Sequence, residues 1–93
     1  MQSGYQEQEI VEVDEAIIDL EEYSLVVYND DVNTFEHVID TLIKVCRHSQ
    51  EQAEQCTLLV HLRGKCAVKS GELEMLKPMR NAICERGIDG RIV

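Results

Sequence analysis

The sequence is poor in aromatic residues, has no tryptophan and contains one proline. Aromatic residues make up 4% of the chain, while the hydrophobic fraction is 44%. We therefore expect an aliphatic core built from Leu, Ile, Val, Ala and Cys. A chain of 93 residues suits one domain and is too short for a large cleft between two lobes.

Basic residues are absent from residues 1–22, which contain eight acidic residues. The rest of the chain holds 10 acidic and 9 basic residues, so nearly all of the net charge of −9 lies in this first segment. An acidic segment repels phosphate groups, which argues against nucleic acid and anionic membranes as partners. Its composition is typical of a flexible, solvated extension. The chain is therefore divided into an acidic extension, residues 1–22, and a folded domain, residues 23–93.

Membrane-spanning runs, a signal peptide and Cys-x-x-Cys pairs are also missing. The four cysteines, Cys46, Cys56, Cys66 and Cys84, lie too far apart in sequence for an ordinary zinc site. A thiol enzyme is disfavoured because Cys56 and His61, five residues apart on one helix, do not share a face. We expect a cytoplasmic protein whose reduced thiols fill the core, with no metal, no cofactor and no catalytic residue.

The first structural elements follow from apolar spacing and capping residues. A Val-rich apolar run at residues 23–28 predicts a buried strand that stops at an acidic turn. Asn33 is placed to cap the next helix, with Glu36 completing a capping box. Helical apolar spacing then continues to a cationic end at Arg47 and His48, which suits the helix dipole.

A second helix is predicted from Ser49, with Gln52 in its capping box, to a stop at Gly64. Residues 65–69 alternate as in a short strand, which we expect to break at residues 70–71.

A third helix is predicted over residues 72–86, ended by Gly87, and a last strand over residues 91–93. Pro78 removes a helical hydrogen bond, so we expect a kink there or a regular helix that begins near Pro78. The element order predicts an α/β (α+β) sandwich, in which a small three-stranded antiparallel sheet packs with three helices in the order β-α-α-β-α-β.

Asn29, Asp30 and Asp31 place oxygen-rich side chains in a loop between a strand and a helix. A solvated turn with capping side chains has the same composition. As a site, the triplet suits a primary ammonium group, which has three donors to satisfy. Calcium is disfavoured because the alternating acids, central glycine and distal glutamate of a calcium loop are missing.

His61, near the end of the second helix, is the other candidate for binding. A histidine at this position interacts favourably with the helix dipole, and a neutral imidazole also supplies one acceptor to a bound amine. His37 and His48 are expected to be exposed helix residues without a functional role.

Three segments of the domain together resemble the ClpS family, the bacterial adaptors of the Clp ATP-dependent proteases. The segments are Val26-Val27-Tyr28-Asn29-Asp30-Asp31, Phe35-Glu36-x-Val38-Ile39-Asp40 and Val60-His61-x-x-Gly64-Lys65. The resemblance covers about residues 23–93. It implies the same α/β sandwich that the element order predicts.

The resemblance also implies a function. Family members bind a degradation substrate by its free N-terminal Phe, Tyr, Trp or Leu and deliver it to the unfoldase ClpA or ClpC. The family's amine-binding side chains carry over to Asn29, Asp31 and His61, with Asp30 alongside. The implied side-chain pocket is lined by Val27, Tyr28, Asn33, Phe35, Val38, Thr57, Val60 and Ile92.

The chain departs from the family pattern inside this pocket. Phe35 stands where a Met commonly gates the pocket, Asn33 where a Thr is common, and Thr57 where a Met is frequent. We therefore expect a side-chain preference that differs from that of Met-gated relatives. The family's unfoldase-docking surface has a Glu and a Lys near the third helix, which match Glu72 and Lys77 here.

Two alternatives to an N-terminal-residue adaptor remain. One is a domain of the same fold that docks on the unfoldase and modulates it without an amine site. The other, ranked lower, is a small thiol or metal enzyme. A peptide with a free N-terminal Phe, compared with its acetylated twin, separates the adaptor from the modulator.

Overall fold

The computed structural model describes residues 22–93 and shows six elements in that range. They are β1 (Tyr23–Tyr28), α1 (Phe35–Cys46), α2 (Gln50–Arg63), β2 (Lys65–Gly71), α3 (Leu73–Glu85) and β3 (Asp89–Ile92). The order β-α-α-β-α-β and the α+β class confirm the predicted architecture. The predicted acidic extension, residues 1–22, lies outside the described residues except for Glu22.

The sheet has the order β2-β1-β3, and both pairings are antiparallel. β1 is central, which explains why a Val-rich run forms it. Strand β2 continues to Gly71, which pairs with Tyr23, so the predicted break at residues 70–71 is wrong. Strand β3 starts at Asp89, earlier than residue 91, because Asp89 pairs with Tyr28. Pairing with β1, which local composition does not reveal, extends both outer strands.

A register shift in β2 gives the buried His48 a structural role. Leu25 pairs with Lys69 and Val26 with Ala67, so Val68 has no partner on β1. His48 Nε2 donates to the Val68 carbonyl at 2.7 Å, and His48 is only 5% exposed. The prediction that His48 is an exposed helix residue is therefore wrong. α1 ends at Cys46, and the left-handed backbone of its C-cap residue, Arg47, turns the chain out of the helix.

The core between sheet and helices is aliphatic, as predicted, and every element contributes to it or packs against it. Its buried residues are Leu25, Val27, Val38, Leu42, Cys46, Ala53, Val60, Val68, Leu76, Ile83 and Ile88. Full burial of one such large aliphatic side chain contributes about 1.5–3 kcal/mol. The two walls of the site described below, α1 and α2, are therefore held by the same core.

Helix α3 begins at Leu73, well before Pro78, and continues through it. The expectation that its regular part starts near Pro78 is therefore wrong. The proline is exposed, and its ring removes one intrahelical hydrogen bond, the bond to the carbonyl of Glu74. The cost is offset by the burial of Leu76 and Ile83 on the other face of the same helix.

Arg86, at the end of α3, joins this helix to α1. Its guanidinium donates to Asp40 at 2.7 Å and to Thr41 Oγ1 at 2.8 Å. His37 Nε2 donates to the Arg86 carbonyl at 2.8 Å. His37 is therefore half-buried and bonded, contrary to the expectation of an exposed residue. Lys44 and, to a lesser degree, Arg86 lower the pKa of Asp40.

All four cysteines are free thiols, but they are not all core residues. Cys46 is buried, Cys56 and Cys66 are half-buried, and Cys84 is exposed, so the prediction that all four fill the core is wrong for Cys84. Burial, and then the neighbouring Cys66, raise the pKa of Cys56 to about 11. Within residues 22–93, no helix has the length and apolar character needed to cross a bilayer.

Candidate functional site

The loop from Asn29 to Thr34 is shaped by the carboxylate of Asp30. Its Oδ1 accepts from the backbone N–H groups of Val32 and Asn33, both at 2.9 Å, and its Oδ2 accepts from Asn33 Nδ2 at 2.8 Å. The hydrogen bond from the Asn33 backbone, followed by that from Val32, lowers the pKa of Asp30. Both carboxylate oxygens of Asp30 are therefore engaged inside the loop.

Asn33 ties this loop to the end of α3 and does not cap α1. Its Nδ2 donates to the Gly87 carbonyl at 2.9 Å as well as to Asp30. The helix cap is Thr34, whose Oγ1 accepts from the His37 backbone at 3.1 Å. The predicted capping box of Asn33 is therefore wrong, because a contact with Gly87, 54 residues away, takes its side chain.

The second wall of the site is the C-terminal half of α2. This helix is fixed at its start by the predicted capping box of Ser49 with Gln52 and ends at Gly64, in the left-handed region at φ 90°. Asn29 N–H donates to the Gly64 carbonyl at 2.9 Å, so the end of β1 is joined to the end of α2. This bond brings the loop that follows β1 alongside His61.

A cavity of about 300 Å³ lies between this loop, the start of α1 and α2. It is lined by Asn29, Asp30, Asp31, Asn33, Thr34, Phe35, Val38, Thr57, Val60 and His61. Thr57, Val60 and His61 lie three and four residues apart and so share one helix face. The structure thus brings the acidic triplet and His61 together on one cavity, with apolar side chains in its wall.

A smaller recess of about 20 Å³ adjoins the cavity. It contains Val27 and Tyr28, two of the residues implied for the pocket, and it also contains Ile88. Ile92, which the resemblance implied, lines neither space and instead pairs with Leu25 in the sheet. Ile88 was not predicted as a lining residue. An apolar residue directly after the helix-ending Gly87 was the available signal.

The polar groups at this site differ in what they are free to bind. Asn29, Asp31 and His61 are exposed, and no hydrogen bond joins their side chains to other groups in residues 22–93. Asp31 is therefore the carboxylate of the cavity that remains available to a ligand. An amide oxygen, a carboxylate and an imidazole nitrogen can together accept the hydrogen bonds of one ammonium group.

Phe35 and His61 stand on opposite walls and meet at the cavity. Their ring centroids are 5.2 Å apart with an angle of 69° between the planes, an edge-to-face arrangement. Phe35 is 43% exposed, an unusual degree for the sole phenylalanine of the chain. An exposed aromatic ring beside a group of acceptors offers an apolar contact to an incoming ligand.

Glu72 and Lys77, the residues predicted for unfoldase docking, lie outside the cavity on α3. Glu72 is the N-terminal cap residue of α3, and its side chain makes no capping hydrogen bond. Lys77 Nζ lies 3.2 Å from the Glu74 carboxylate. Both residues are exposed. Within residues 22–93, no cluster of three or more His, Cys, Asp or Glu side chains is arranged to hold a metal ion.

Comparison with known proteins identifies relatives of this chain. A family model described as ATP-dependent Clp protease adaptor protein ClpS matches residues 19–87. The ATP-dependent Clp protease adapter protein ClpS of Treponema denticola is 34% identical over 56 residues, or 60% of this chain and 55% of that protein. The matched region thus spans about half the length of that relative.

A solved structure of Agrobacterium tumefaciens ClpS2 bound to L-phenylalaninamide matches with a TM-score of 0.71 at 22% identity. The match covers 77% of this chain and 94% of that chain. It shows that the two chains share a fold.

Proposed function

The chain belongs to the ClpS family of Clp protease adaptors, and we propose that it binds proteins by a free, bulky hydrophobic N-terminal residue and delivers them to a Clp unfoldase. In the binding step, the ligand's α-amino group is held by Asn29, Asp31 and His61, and its side chain enters the cavity. No covalent bond is made or broken in this step.

The observation that carries this proposal is the joint presence of free acceptors and an apolar wall on one cavity. The volume of about 300 Å³ lies at the lower end of the range for small-ligand sites, which suits a single side chain. Contact with Val38, Val60 and Phe35 supplies affinity at about 25 cal/mol per Å² of apolar surface buried. The acceptors supply selectivity for the terminus, since an internal residue has no ammonium group to offer.

The charges of the site support a cationic ligand. The Asp31 carboxylate gives the ammonium group a charge-assisted hydrogen bond, which is roughly twice as strong as a neutral one. Acetylation removes the positive charge of the amino group and two of its N–H donors. Each acceptor that the bound ligand buries without a partner then costs about 1–3 kcal/mol of binding free energy. To Asp30 we assign the loop-shaping role, because its oxygens are already engaged.

The ligand in the Agrobacterium tumefaciens ClpS2 structure is consistent in type with this proposal. L-Phenylalaninamide carries a free α-amino group and a benzyl side chain, the two features that the cavity is suited to hold. The argument from this chain's own residues does not depend on that likeness.

Delivery requires a second surface, and we assign it to Glu72 and Lys77. Their exposure on α3 and their absence from the cavity lining allow a partner to dock while the cavity is occupied. The partner is a Clp unfoldase of the ClpA or ClpC type, and the setting is the bacterial cytoplasm.

The test is a pair of fluorescent peptides that differ only in N-terminal acetylation and begin with Phe. Fluorescence anisotropy should show binding of the free peptide and at least tenfold weaker binding of the acetylated one. Asp31→Ala and His61→Ala should each weaken the free peptide, with circular dichroism showing an unchanged fold. Glu85→Ala, which removes an exposed acid outside the cavity, is the charge-matched control for Asp31→Ala.

Absent binding of both peptides, or equal binding of the two, would overturn the proposal. A domain that then still bound a Clp unfoldase would fit the alternative, a docking modulator without an amine site.

A further inference from the structure

Thr57 carries a buried hydroxyl without a hydrogen-bond partner at the wall of the cavity. The residue is 3% exposed, and within residues 22–93 no group pairs with its Oγ1. The chain's other fully buried threonine, Thr41, behaves differently: its Oγ1 donates to the His37 carbonyl at 2.8 Å and accepts from Arg86 Nε at 2.8 Å. Buried hydroxyls are normally paired in this way, so Thr57 requires an explanation.

The position of Thr57 on α2 places its hydroxyl in the direction in which the side chain of a bound ligand extends. Thr57 lies one helical turn before His61 on the same face of α2, a rise of about 6 Å along the helix axis. Asn29 is joined to the C-terminal end of that helix at Gly64, so the amine acceptors gather at that end. A ligand held there by its α-amino group therefore extends its side chain toward Thr57.

Building on the proposed function, we propose that Thr57 makes the cavity select an N-terminal tyrosine over phenylalanine. The tyrosine hydroxyl is the atom of that side chain farthest from its amino group. It is both a donor and an acceptor, and so is the hydroxyl of Thr57.

The inner surface of the cavity makes this pairing effective. Val38 and Val60, which line the same cavity, offer no hydrogen bond to a polar atom. A threonine in a helix occupies two χ1 rotamers, and the rotation from one to the other moves the hydroxyl to a different position about Cβ. Turning Oγ1 toward a ligand breaks no hydrogen bond within residues 22–93, since it makes none there. Phenylalanine leaves the Thr57 hydroxyl unpaired, whereas tyrosine satisfies it and its own phenol together.

The test compares two free-amine peptides, identical except for N-terminal Tyr or Phe, on the unmodified chain and on two variants. Thr57→Val replaces the hydroxyl by a methyl group of similar size, and Thr57→Ser keeps the hydroxyl. By anisotropy, the unmodified chain should bind the Tyr peptide about 3- to 10-fold more tightly than the Phe peptide. Thr57→Val should abolish that ratio by weakening the Tyr peptide, while Thr57→Ser should preserve it.

Equal affinities for the two peptides on the unmodified chain would overturn the inference without needing any variant. The same Tyr-to-Phe ratio in Thr57→Val as in the unmodified chain would also overturn it. Both results are distinct from failure of the proposed function, in which neither free peptide binds better than its acetylated twin. Thermal melts of both variants verify that the ratios come from folded protein.

Discussion

The ring of Phe35 stands edge-on to the imidazole of His61, 5.2 Å between centroids, and so joins the start of α1 to the end of α2 across the cavity. One partner is an exposed aromatic side chain, and the other is a candidate acceptor for the ligand's amine. The contact therefore links the part of the site that selects side chains to the part that recognises the terminus.

Substituting Phe35 should affect both the selection among ligand side chains and the recognition of the terminus, by different amounts. Phe35→Met replaces a stiff ring by a flexible side chain, so the ranking of Phe, Leu, Tyr and Trp peptides should change. Phe35→Ala also removes the edge-to-face contact, and such a contact contributes about 0.5–1.5 kcal/mol. The affinity for all four peptides should therefore fall about 2- to 10-fold. Anisotropy titrations measure both effects. An identical ranking in the unmodified chain and in Phe35→Met would contradict the role of Phe35 in selection.

Asp30 should titrate below its ordinary pKa of 3.8, since the N–H groups of Asn33 and Val32 stabilise its ionised form. A lowered pKa in the folded state means that the stabilisation of the loop is present above the ordinary value. It is lost as the pH falls through the lowered value. A carbon-13 titration of the carboxyl groups by NMR measures this. Asn33→Ala keeps the backbone hydrogen bond but removes the one from Asn33 Nδ2, which also lowers the Asp30 pKa, so the pKa should move upward. An Asp30 titration unaffected by Asn33→Ala would contradict the assignment.

Docking and peptide binding should be separable. Glu72→Ala and Lys77→Ala should each weaken the association with a Clp unfoldase. The affinity for a free N-terminal Phe peptide should stay within about twofold, because neither residue lines the cavity. A pull-down with the unfoldase and anisotropy with the peptide give the two readouts. Arg80→Ala, on the same helix, is a control for general loss of charge. Unfoldase binding that is unchanged in both variants would place the docking surface elsewhere.

His48→Ala should destabilise the domain by about 1–3 kcal/mol, the cost of leaving a buried carbonyl unpaired. His48 is the donor that satisfies Val68 at the register shift. Urea denaturation followed by circular dichroism measures the free energy of unfolding. His37→Ala is the matched control: His37 also donates to a carbonyl but is half-buried, so the loss should be smaller. Equal unfolding midpoints for His48→Ala and the unmodified chain would show that the bond contributes nothing.

The thiols should react with iodoacetamide in the order of their exposure and ionisation. At pH 8 the exposed Cys84 should be alkylated first, and the buried Cys46 last or near last. Cys56 should also be slow, because a pKa raised to about 11 leaves little thiolate at that pH. Mass spectrometry of peptides after timed alkylation gives the rates, and Cys84→Ser should remove the fast phase. A fast phase that persisted in Cys84→Ser would contradict this order.

Elements with complete local signals were predicted closely. Strand β1 was found from its apolar run, and α2 from the capping box of Ser49 with Gln52 and the stop at Gly64. In each case the signal lies in a few neighbouring residues: an apolar run for β1, and a capping pair and a stop residue for α2. Such signals are readable from sequence because they depend on neighbouring side chains alone.

Elements whose ends depend on distant partners were predicted less well. β2 and β3 are longer than expected because pairing with β1 continues past their local breakers. Asn33 looked like a helix cap, but Gly87 and Asp30 engage its side chain, and Thr34 takes the capping role. His48 looked exposed at a helix end, but the left-handed turn at Arg47 directs the chain so that His48 is buried.

The sequence alone contains the acidic triplet, the histidine near the end of a helix and the element order, because these depend on local composition and periodicity. Only the tertiary structure distinguishes Asp30, held inside the loop, from Asp31, open to a ligand, since three hydrogen bonds to one carboxylate require a folded loop. Only packing of α2 beside that loop brings His61 to the same cavity and leaves Thr57 unpaired at its wall. Asp31 and His61 lie 30 positions apart in the sequence, and local propensity carries no information about their meeting.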